Sequence, residues 1–251
     1  PLTLALIPFF IATKVFYHKT RIKFPMLFIR KSWSKVALRL CGLRLRVHGQ
    51  FSSGGCIVVC NHVSWLDILA IQSVVDVIFL AKSEVRTWPG LGFLAKLADT
   101  LFVERKPQKI HIHAREAEKI ISMGESICFF PEGTSSDGLR VLKFRSGFFQ
   151  LACRNSFGKE SQVVDIQPLS LFYEPKGNDK SSDFYGWWGN MGLLGNMVKV
   201  LCKSSGFITL KFHDVLQNDD FMTRKHLASQ AEKVIGDQIA KNIGQHNSRK
   251  S

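Results

Sequence analysis

The chain has 251 residues, of which 45% are hydrophobic and 22% charged, so it can bury a sizeable core and is not an intrinsically disordered protein. Its formal net charge is +14, which favours an anionic partner such as a nucleic acid, an anionic membrane or a phosphorylated substrate. Most of its six cysteines lie in apolar runs without metal-like spacing, which predicts reduced core residues in a domain that faces the cytosol.

The first part of the chain combines an apolar run with a basic flank. Leu2–Val15 is apolar but shorter than the roughly 20 residues that a membrane-spanning helix needs. Three interpretations compete: the end of a membrane helix, the core of a signal peptide and a buried helix. The lack of a small-residue cleavage pattern argues against the signal peptide. Between Phe24 and Leu43, apolar residues recur at roughly helical spacing, as in an interfacial helix or in a helix packed on the domain.

We therefore expect residues 1–46 to form a membrane-associated helical segment. A basic flank beside an apolar run suits the cytoplasmic face of an anionic membrane, which would be the bacterial inner membrane if the source is prokaryotic. The alternative is a solvated basic surface.

From Gly55 onward, short apolar runs alternate with helical patterns. The predicted strands are Cys56–Cys60, Val77–Ala81, Thr100–Val103, Ile127–Phe130, the pair Val163–Gln167 and Leu169–Phe172 around Pro168, and Phe207–Phe212. The predicted helices are Ser64–Ser73, Leu91–Leu97, Pro107–Met123, Gly147–Arg154, Asn190–Lys203 and Phe221–Ile243. This alternation predicts an α/β domain over residues 47–251, with a largely parallel central sheet flanked by helices.

The string NHVSWLD at Asn61–Asp67 places a histidine and a carboxylate five residues apart. On one continuous helix such positions lie about 140° apart, so the side chains can meet only if His62 precedes the helix. With Ser64 as N-cap, His62 falls on the turn at the carboxyl end of a strand, where open α/β sheets bind ligands. There it can take a proton from a hydroxyl while Asp67 orients its ring. The competing interpretation is an ordinary capping box from Ser64 to Asp67.

A second string, FFPEGTSSDG at Phe129–Gly138, ends a strand in a turn rich in backbone donors. Such a loop can bind an anion, and the basic residues Lys143 and Arg145 follow it. A plain turn with solvated cations is the alternative. Because parallel strands share one carboxyl edge, we expect the histidine and the glutamate-glycine turn to line one pocket.

With these strings in order, the chain resembles the glycerolipid acyltransferases, which comprise the 1-acylglycerol-3-phosphate acyltransferases and related lysolipid acyltransferases. Asn61–Asp67 resembles their H-x4-D block and Phe130–Gly138 their Pro-Glu-Gly-Thr block. The other matching positions, within roughly Leu45–Val215, are Lys82, Gly92–Arg105, Leu142–Gly147 and Ile166–Leu169. Ser135 departs from the pattern, since phosphatidate-forming members commonly carry Arg there. Tyr185–Met191 resembles the lyso-ornithine lipid acyltransferase branch.

The resemblance implies a membrane-associated O-acyltransferase. It would move a fatty acyl group from acyl-CoA or acyl-carrier protein to the free hydroxyl of a lysolipid of the 1-acylglycerol-3-phosphate type, with a lyso-ornithine lipid as the alternative acceptor. His62 would be the general base, Asp67 would orient it, and no acyl-enzyme would form. The implied substrate-binding residues are Arg105, Glu132, Gly133, Thr134, Lys143 and Arg145. No metal or cofactor is expected, because the sequence has no HExxH or comparable cluster.

Three other functions compete with this one. A non-catalytic lipid-binding protein would use the same basic face, and its lipid binding would survive His62→Ala. An esterase needs a serine nucleophile, and the nearest approach to G-x-S-x-G, at Arg145–Gly147, lacks the first glycine. Nucleic-acid binding is not expected, because no RRM, KH or zinc-finger signature is present and the basic residues concentrate beside the apolar N-terminus.

Overall fold

A computed structural model describes residues 20, 24–88, 92, 95, 96, 99–104, 107–153, 164–177, 181, 183–203, 205–216, 218 and 222–248. The apolar run Leu2–Val15 and most of the predicted helix Leu91–Leu97 lie outside the described residues.

Seven strands in the described part of the chain form one sheet. They are β1 Leu43–His48, β2 Ile57–Cys60, β3 Ile78–Lys82, β4 Leu101–Val103, β5 Ile127–Phe129, β6 Ile166–Pro175 and β7 Gly206–Phe212. Their order is β1-β7-β6-β2-β5-β3-β4, and every neighbouring pair is parallel except β6 with β7. Strands β2 to β6 therefore present their carboxyl ends at one edge, which confirms the predicted α/β fold with a largely parallel sheet.

Helices cover both faces of this sheet. The α-helices are α1 Phe24–Leu40, α2 Leu66–Gln72, α3 Pro107–Ser122, α4 Leu193–Lys203 and α5 Arg224–Ser248, and 3-10 helices span Ser83–Thr87 and Phe148–Ala152. Leu38 of α1, Ile71 of α2 and Val200 of α4 belong to the apolar core on one face. Ala117 of α3 and Ile235 of α5 belong to the core on the other face. The helices thus form two layers that bury separate apolar clusters.

β6 is one strand of ten residues, where the sequence predicted two strands around Pro168. The Pro168 carbonyl accepts the His213 N–H at 3.0 Å, but proline has no N–H to return to the His213 carbonyl. That carbonyl instead accepts Gln167 Nε2 at 2.9 Å. A side chain thereby replaces the missing ladder bond, at the point where the pairing with β7 ends.

The N-terminal part of the described chain packs on the α/β domain. Leu38 and Cys41 are buried in the core, and Arg30, which is only 5% exposed, pairs with Asp76 ahead of β3. Strand β1, which was not predicted, pairs with β7, and the predicted domain boundary between residues 46 and 47 falls inside it. None of the described helices has the length and apolar character needed to cross a bilayer.

Candidate active site

The loops that follow β2 and β5 meet at the carboxyl edge of the sheet. The two strands are neighbours, with Val59 of β2 paired to Phe129 of β5, so their loops leave the sheet side by side. Ser136 holds the loops together, since its N–H and its hydroxyl both donate to the His62 carbonyl, at 2.9 and 3.1 Å. The sheet therefore brings together the two strings that the sequence places 70 residues apart.

The Asp67 carboxylate is the best-connected group in this region. Its Oδ2 lies 2.8 Å from His62 Nδ1 and accepts the N–H groups of Val63 at 2.7 Å and Ser64 at 3.0 Å. Its Oδ1 accepts the Tyr173 hydroxyl at 2.7 Å, and the residue is 0% exposed. Because a carboxylate among backbone donors acts as an acceptor, His62 donates its Nδ1 hydrogen to Asp67. In the neutral form of such a ring, Nε2 holds the lone pair.

The bend between β2 and α2 places this pair. Helix α2 starts at Leu66, the Asp67 N–H donates to the Ser64 carbonyl at 3.1 Å, and the Asp67 carboxylate accepts the Ser64 N–H. The predicted N-cap role of the Ser64 hydroxyl is wrong, since that oxygen has no hydrogen-bond partner among the described residues. The carboxylate half of the capping box does form. Asp67 therefore both orients the His62 ring and caps the start of the helix.

The histidine ring is held on one face and accessible on one edge. It stacks on Phe130, with ring centroids 4.2 Å apart and an angle of 18° between the planes. Its side chain is 18% exposed, and no described residue is hydrogen-bonded to Nε2. An acceptor hydroxyl can therefore reach Nε2, which is the geometry of a general base.

Glu132 is a second buried carboxyl group beside His62, with 2% exposure. Its Oε1 accepts the His62 N–H at 2.7 Å and its Oε2 accepts the Leu142 N–H at 2.8 Å. Burial raises the pKa of Glu132 to about 7, although these two hydrogen bonds favour the charged form. Glu132 thus ties three chain segments together, and the headgroup contact that the resemblance implies for it stays a prediction.

Two glycines shape the loop after β5. Gly133 has a φ of 73°, which L side chains rarely adopt, and its N–H donates to the Phe130 carbonyl at 3.1 Å. Gly138 has a φ of 77°, and a Cβ there would lie 2.9 Å from a methyl carbon of Val63. Both positions let the loop turn back against the residues that follow β2.

The remaining predicted substrate-binding residues are less constrained. The side chains of Thr134, Lys143 and Arg145 are exposed, and Arg105 lies outside the described residues. Their contacts with substrate therefore stay predictions. Among the described residues, no group of three or more His, Cys, Asp or Glu side chains is arranged to hold a metal ion.

Sequence reasoning missed two residues of the site. Tyr173 lies on β6, and burial together with the charge of Asp67 raises the pKa of its hydroxyl well above its usual range, so it stays a donor. Asn61 exchanges two hydrogen bonds with the Leu171 backbone, at 2.9 and 2.8 Å, and so fixes the end of β2 against β6. The available signal for Tyr173 was its place at the end of an apolar run, because a buried tyrosine hydroxyl needs a partner.

A histidine oriented by a buried carboxylate at the carboxyl edge of a parallel sheet is typical of an α/β enzyme that activates a hydroxyl group. Residues 44–171 match the family model described as Acyltransferase. The chain belongs to this acyltransferase family, as its sequence blocks predicted.

Two lyso-ornithine lipid O-acyltransferases are similar to most of the chain. That of Rhizobium meliloti is 34% identical over 224 residues, which cover 86% of this chain and 75% of the relative. That of Rhodobacter capsulatus is 36% identical over 203 residues, which cover 80% of this chain and 72% of the relative.

Similarity to 1-acyl-sn-glycerol-3-phosphate acyltransferases is shorter in sequence. The Neisseria gonorrhoeae protein of that name is 39% identical over 99 residues, which are 39% of each chain. The crystal structure of the 1-acyl-sn-glycerophosphate (LPA) acyltransferase PlsC from Thermotoga maritima aligns with a TM-score of 0.70 at 21% identity, over 96% of this chain and 90% of that one. At that identity the alignment supports the fold and leaves the substrate open.

Proposed function

We propose that this protein is a lyso-ornithine lipid O-acyltransferase, which transfers a fatty acyl group from an acyl thioester to the free hydroxyl of a lyso-ornithine lipid. The two relatives of that name are similar over 86% and 80% of this chain, whereas the Neisseria gonorrhoeae 1-acyl-sn-glycerol-3-phosphate acyltransferase matches only 39% of it. The alternative acceptor suggested by the sequence is therefore better supported than the 1-acylglycerol-3-phosphate acceptor that was its main expectation.

The observation that carries the chemistry is the accessible Nε2 of a histidine whose Nδ1 is 2.8 Å from the Asp67 carboxylate. In the proposed mechanism, Nε2 takes the proton of the acceptor hydroxyl, and the oxygen attacks the thioester carbonyl carbon. A C–O bond forms, the C–S bond breaks, and the leaving thiolate receives the proton from the imidazolium. Asp67 stabilises that imidazolium between the two proton transfers.

Ser135 supports an acceptor that lacks a phosphate. It stands where the resemblance leads one to expect arginine in phosphatidate-forming enzymes, and its hydroxyl donates to the Trp187 carbonyl. The loop after β5 is thereby tied to the Tyr185–Met191 stretch, at a position that carries no cation. A doubly charged phosphate would lose one charge-assisted partner in this loop.

We further propose that the enzyme works at the cytoplasmic face of a membrane, with residues 1–46 on anionic lipid and acyl-CoA or acyl-carrier protein as donor. The exposed side of α1 supports this, because Lys35 and Arg39 lie beside the exposed apolar residues Val36 and Leu40. A helix with cationic and apolar residues on its outer side suits an anionic interface.

A product assay tests this proposal. Purified protein is incubated with labelled acyl-CoA or acyl-carrier protein and with lyso-ornithine lipid, lysophosphatidate or another lysophospholipid, and the products are identified by mass spectrometry. We expect the diacylated ornithine lipid as the main product. Exclusive acylation of lysophosphatidate would restore the other acceptor, and lipid binding without any product would favour the non-catalytic alternative.

A further inference from the structure

Helix α4 exposes an apolar stripe. Leu194, Val198 and Leu201 are 78%, 60% and 52% exposed, and their spacing of four and three residues places them on one side of the helix. The opposite side is buried, with Asn196 at 6% and Val200 at 0% exposure. The helix therefore buries one side in the core and presents large apolar side chains on the other.

The loop that precedes α4 also exposes large apolar side chains. Trp188 and Met191 are 39% and 38% exposed, and the Met191 carbonyl accepts the indole N–H of Trp187 at 2.8 Å. Trp187 in turn contacts Trp88 edge to face, with ring centroids 5.9 Å apart. We call the five residues Trp188, Met191, Leu194, Val198 and Leu201 the α4 surface.

Hydrogen bonds fix this surface beside the candidate active site. Asn196 accepts the indole N–H of Trp65 at 3.0 Å and donates to the Gly186 carbonyl at 2.9 Å. The Trp187 N–H donates to the Val63 carbonyl at 2.9 Å, one residue after His62. Whatever binds the α4 surface is therefore held next to the site.

The charge of the segment that carries this surface favours an anionic occupant. Phe184–Lys203 contains two lysines and no acidic residue. Lys199 Nζ lies 4.7 Å from the centroid of the Phe184 ring, and α1, in the same helix layer, exposes Lys35 and Arg39. A second copy of this chain would bring two positively charged segments together, which disfavours a two-fold dimer through this face.

We propose that the α4 surface docks into the headgroup region of a bilayer that carries anionic lipids, as a membrane contact separate from residues 1–46. Tryptophan, methionine and aliphatic side chains would enter the interface, and the positive charge of the Phe184–Lys203 segment would be attracted to lipid phosphates. The contact would bring His62 close to the membrane surface from which a lysolipid is drawn. That last consequence rests on the proposed function, whereas the docking itself does not.

Vesicle partition of the full chain tests the docking. The vesicles contain phosphatidylcholine with phosphatidylglycerol, and the test variant is Leu194→Glu/Val198→Glu. The matched control is Ile112→Glu/Met123→Glu, because these residues are 62% and 65% exposed on or next to α3, in the opposite helix layer. We expect about tenfold weaker partition for the test variant, from lost apolar insertion, and partition near wild type for the control.

Cys202 provides a second readout, because it is exposed on α4 next to Leu201. In a Cys153→Ser background, an environment-sensitive fluorophore on Cys202 should shift its emission to the blue when vesicles are added. The same fluorophore on Met123→Cys, in a background that also carries Cys202→Ser, should not shift.

Equal partition of the two double variants, or no emission shift at Cys202, would overturn the docking. A dimer in light scattering that Leu194→Glu/Val198→Glu dissociates would also overturn it and would assign the surface to a second copy. Measurements of acyl transfer by the same variant distinguish a failure of the docking proposal from a failure of the proposed function. If docking is right, the test variant loses activity on lysolipid in vesicles but keeps it on detergent-dispersed lysolipid. If no lysolipid is acylated under either condition, the proposed function fails while the vesicle result stands.

Discussion

Two buried carboxyl groups hold the same histidine in different ways. Asp67, at 0% exposure, contacts the His62 ring and takes three further donors, whereas Glu132, at 2% exposure, contacts the His62 backbone N–H and takes one further donor. Asp67 therefore sets which ring nitrogen carries the hydrogen, and Glu132 sets where the residue stands. The two buried carboxyl groups thus differ in what they contact: Asp67 contacts the ring for which we propose proton transfer, and Glu132 fixes the geometry of the loops.

His62→Ala removes the residue that both carboxyl groups hold and should have the largest effect. Acyl transfer should fall by about 10²–10⁴-fold, the usual contribution of a general base, while vesicle binding persists. Steady-state rates with the acceptor identified in the product assay provide the measurement. His226→Ala, at an exposed position on α5, serves as control. Turnover above about a tenth of wild type would exclude the general-base role.

Asp67→Asn isolates the ring contact. The amide oxygen can still accept the hydrogen bonds of the His62 ring and of the two backbone N–H groups. The amide N–H can donate to a rotated Tyr173 hydroxyl, so the fold should survive. Activity should fall by about 10²–10³-fold, because the imidazolium loses its charged partner. The acidic limb of the pH–rate profile should move to lower pH. An unchanged limb would show that Asp67 acts only as a helix cap.

Glu132→Gln isolates the backbone contact. A glutamine offers one oxygen to the two N–H groups of His62 and Leu142, so one of these donors is left without its partner. We expect about a tenfold loss of activity. The acidic limb of the rate profile should move less than in Asp67→Asn. A movement as large as in that variant would erase the distinction between the two carboxyl groups.

Tyr173→Phe removes one donor from Asp67 and leaves the ring contact in place. The unpaired Oδ1 of a fully buried carboxylate should lower the free energy of unfolding by about 1–3 kcal/mol, measured by urea denaturation. Activity should fall only a few-fold. Tyr185→Phe is the control, because it makes the same change in the ring that stacks on Tyr173, with ring centroids 5.2 Å apart.

The pH dependence of stability should report the burial of Glu132. The pKa of Glu132 rises on folding to about 7. At a pH between the pKa of the unfolded state and about 7, folding therefore takes up a proton. Its contribution to stability is therefore complete below the unfolded pKa and is lost as the pH rises through about 7. The free energy of unfolding of wild type minus that of Glu132→Gln should fall by at most about 1.4 kcal/mol per pH unit in this window. A rising difference would show that the carboxyl group is buried in its charged form.

Local patterns were sufficient for much of the fold and part of the site. Val58 and Ile127 lie in short apolar runs that became buried parallel strands, because such strands are covered on both faces. The five-residue spacing of His62 and Asp67 already required a strand-to-helix bend, since a continuous helix would separate the side chains. Strand β1 was missed because its alternating Arg44, Leu45 and Arg46 read as part of a basic flank.

The order of residues along the chain thus specified the strand-ending loops, the glycines in them and the His62–Asp67 pair, because each depends on neighbours within one turn or one strand. Only the packed sheet determined the contacts between distant segments. These are the hydrogen bonds of Tyr173 with Asp67, Glu132 with the His62 backbone and Asn196 with Trp65, whose partners are 106, 70 and 131 residues apart. No local preference selects such partners. The partners are determined by the strand order, which sets the loops that are neighbours, and by burial, since each buried polar group needs a donor or an acceptor.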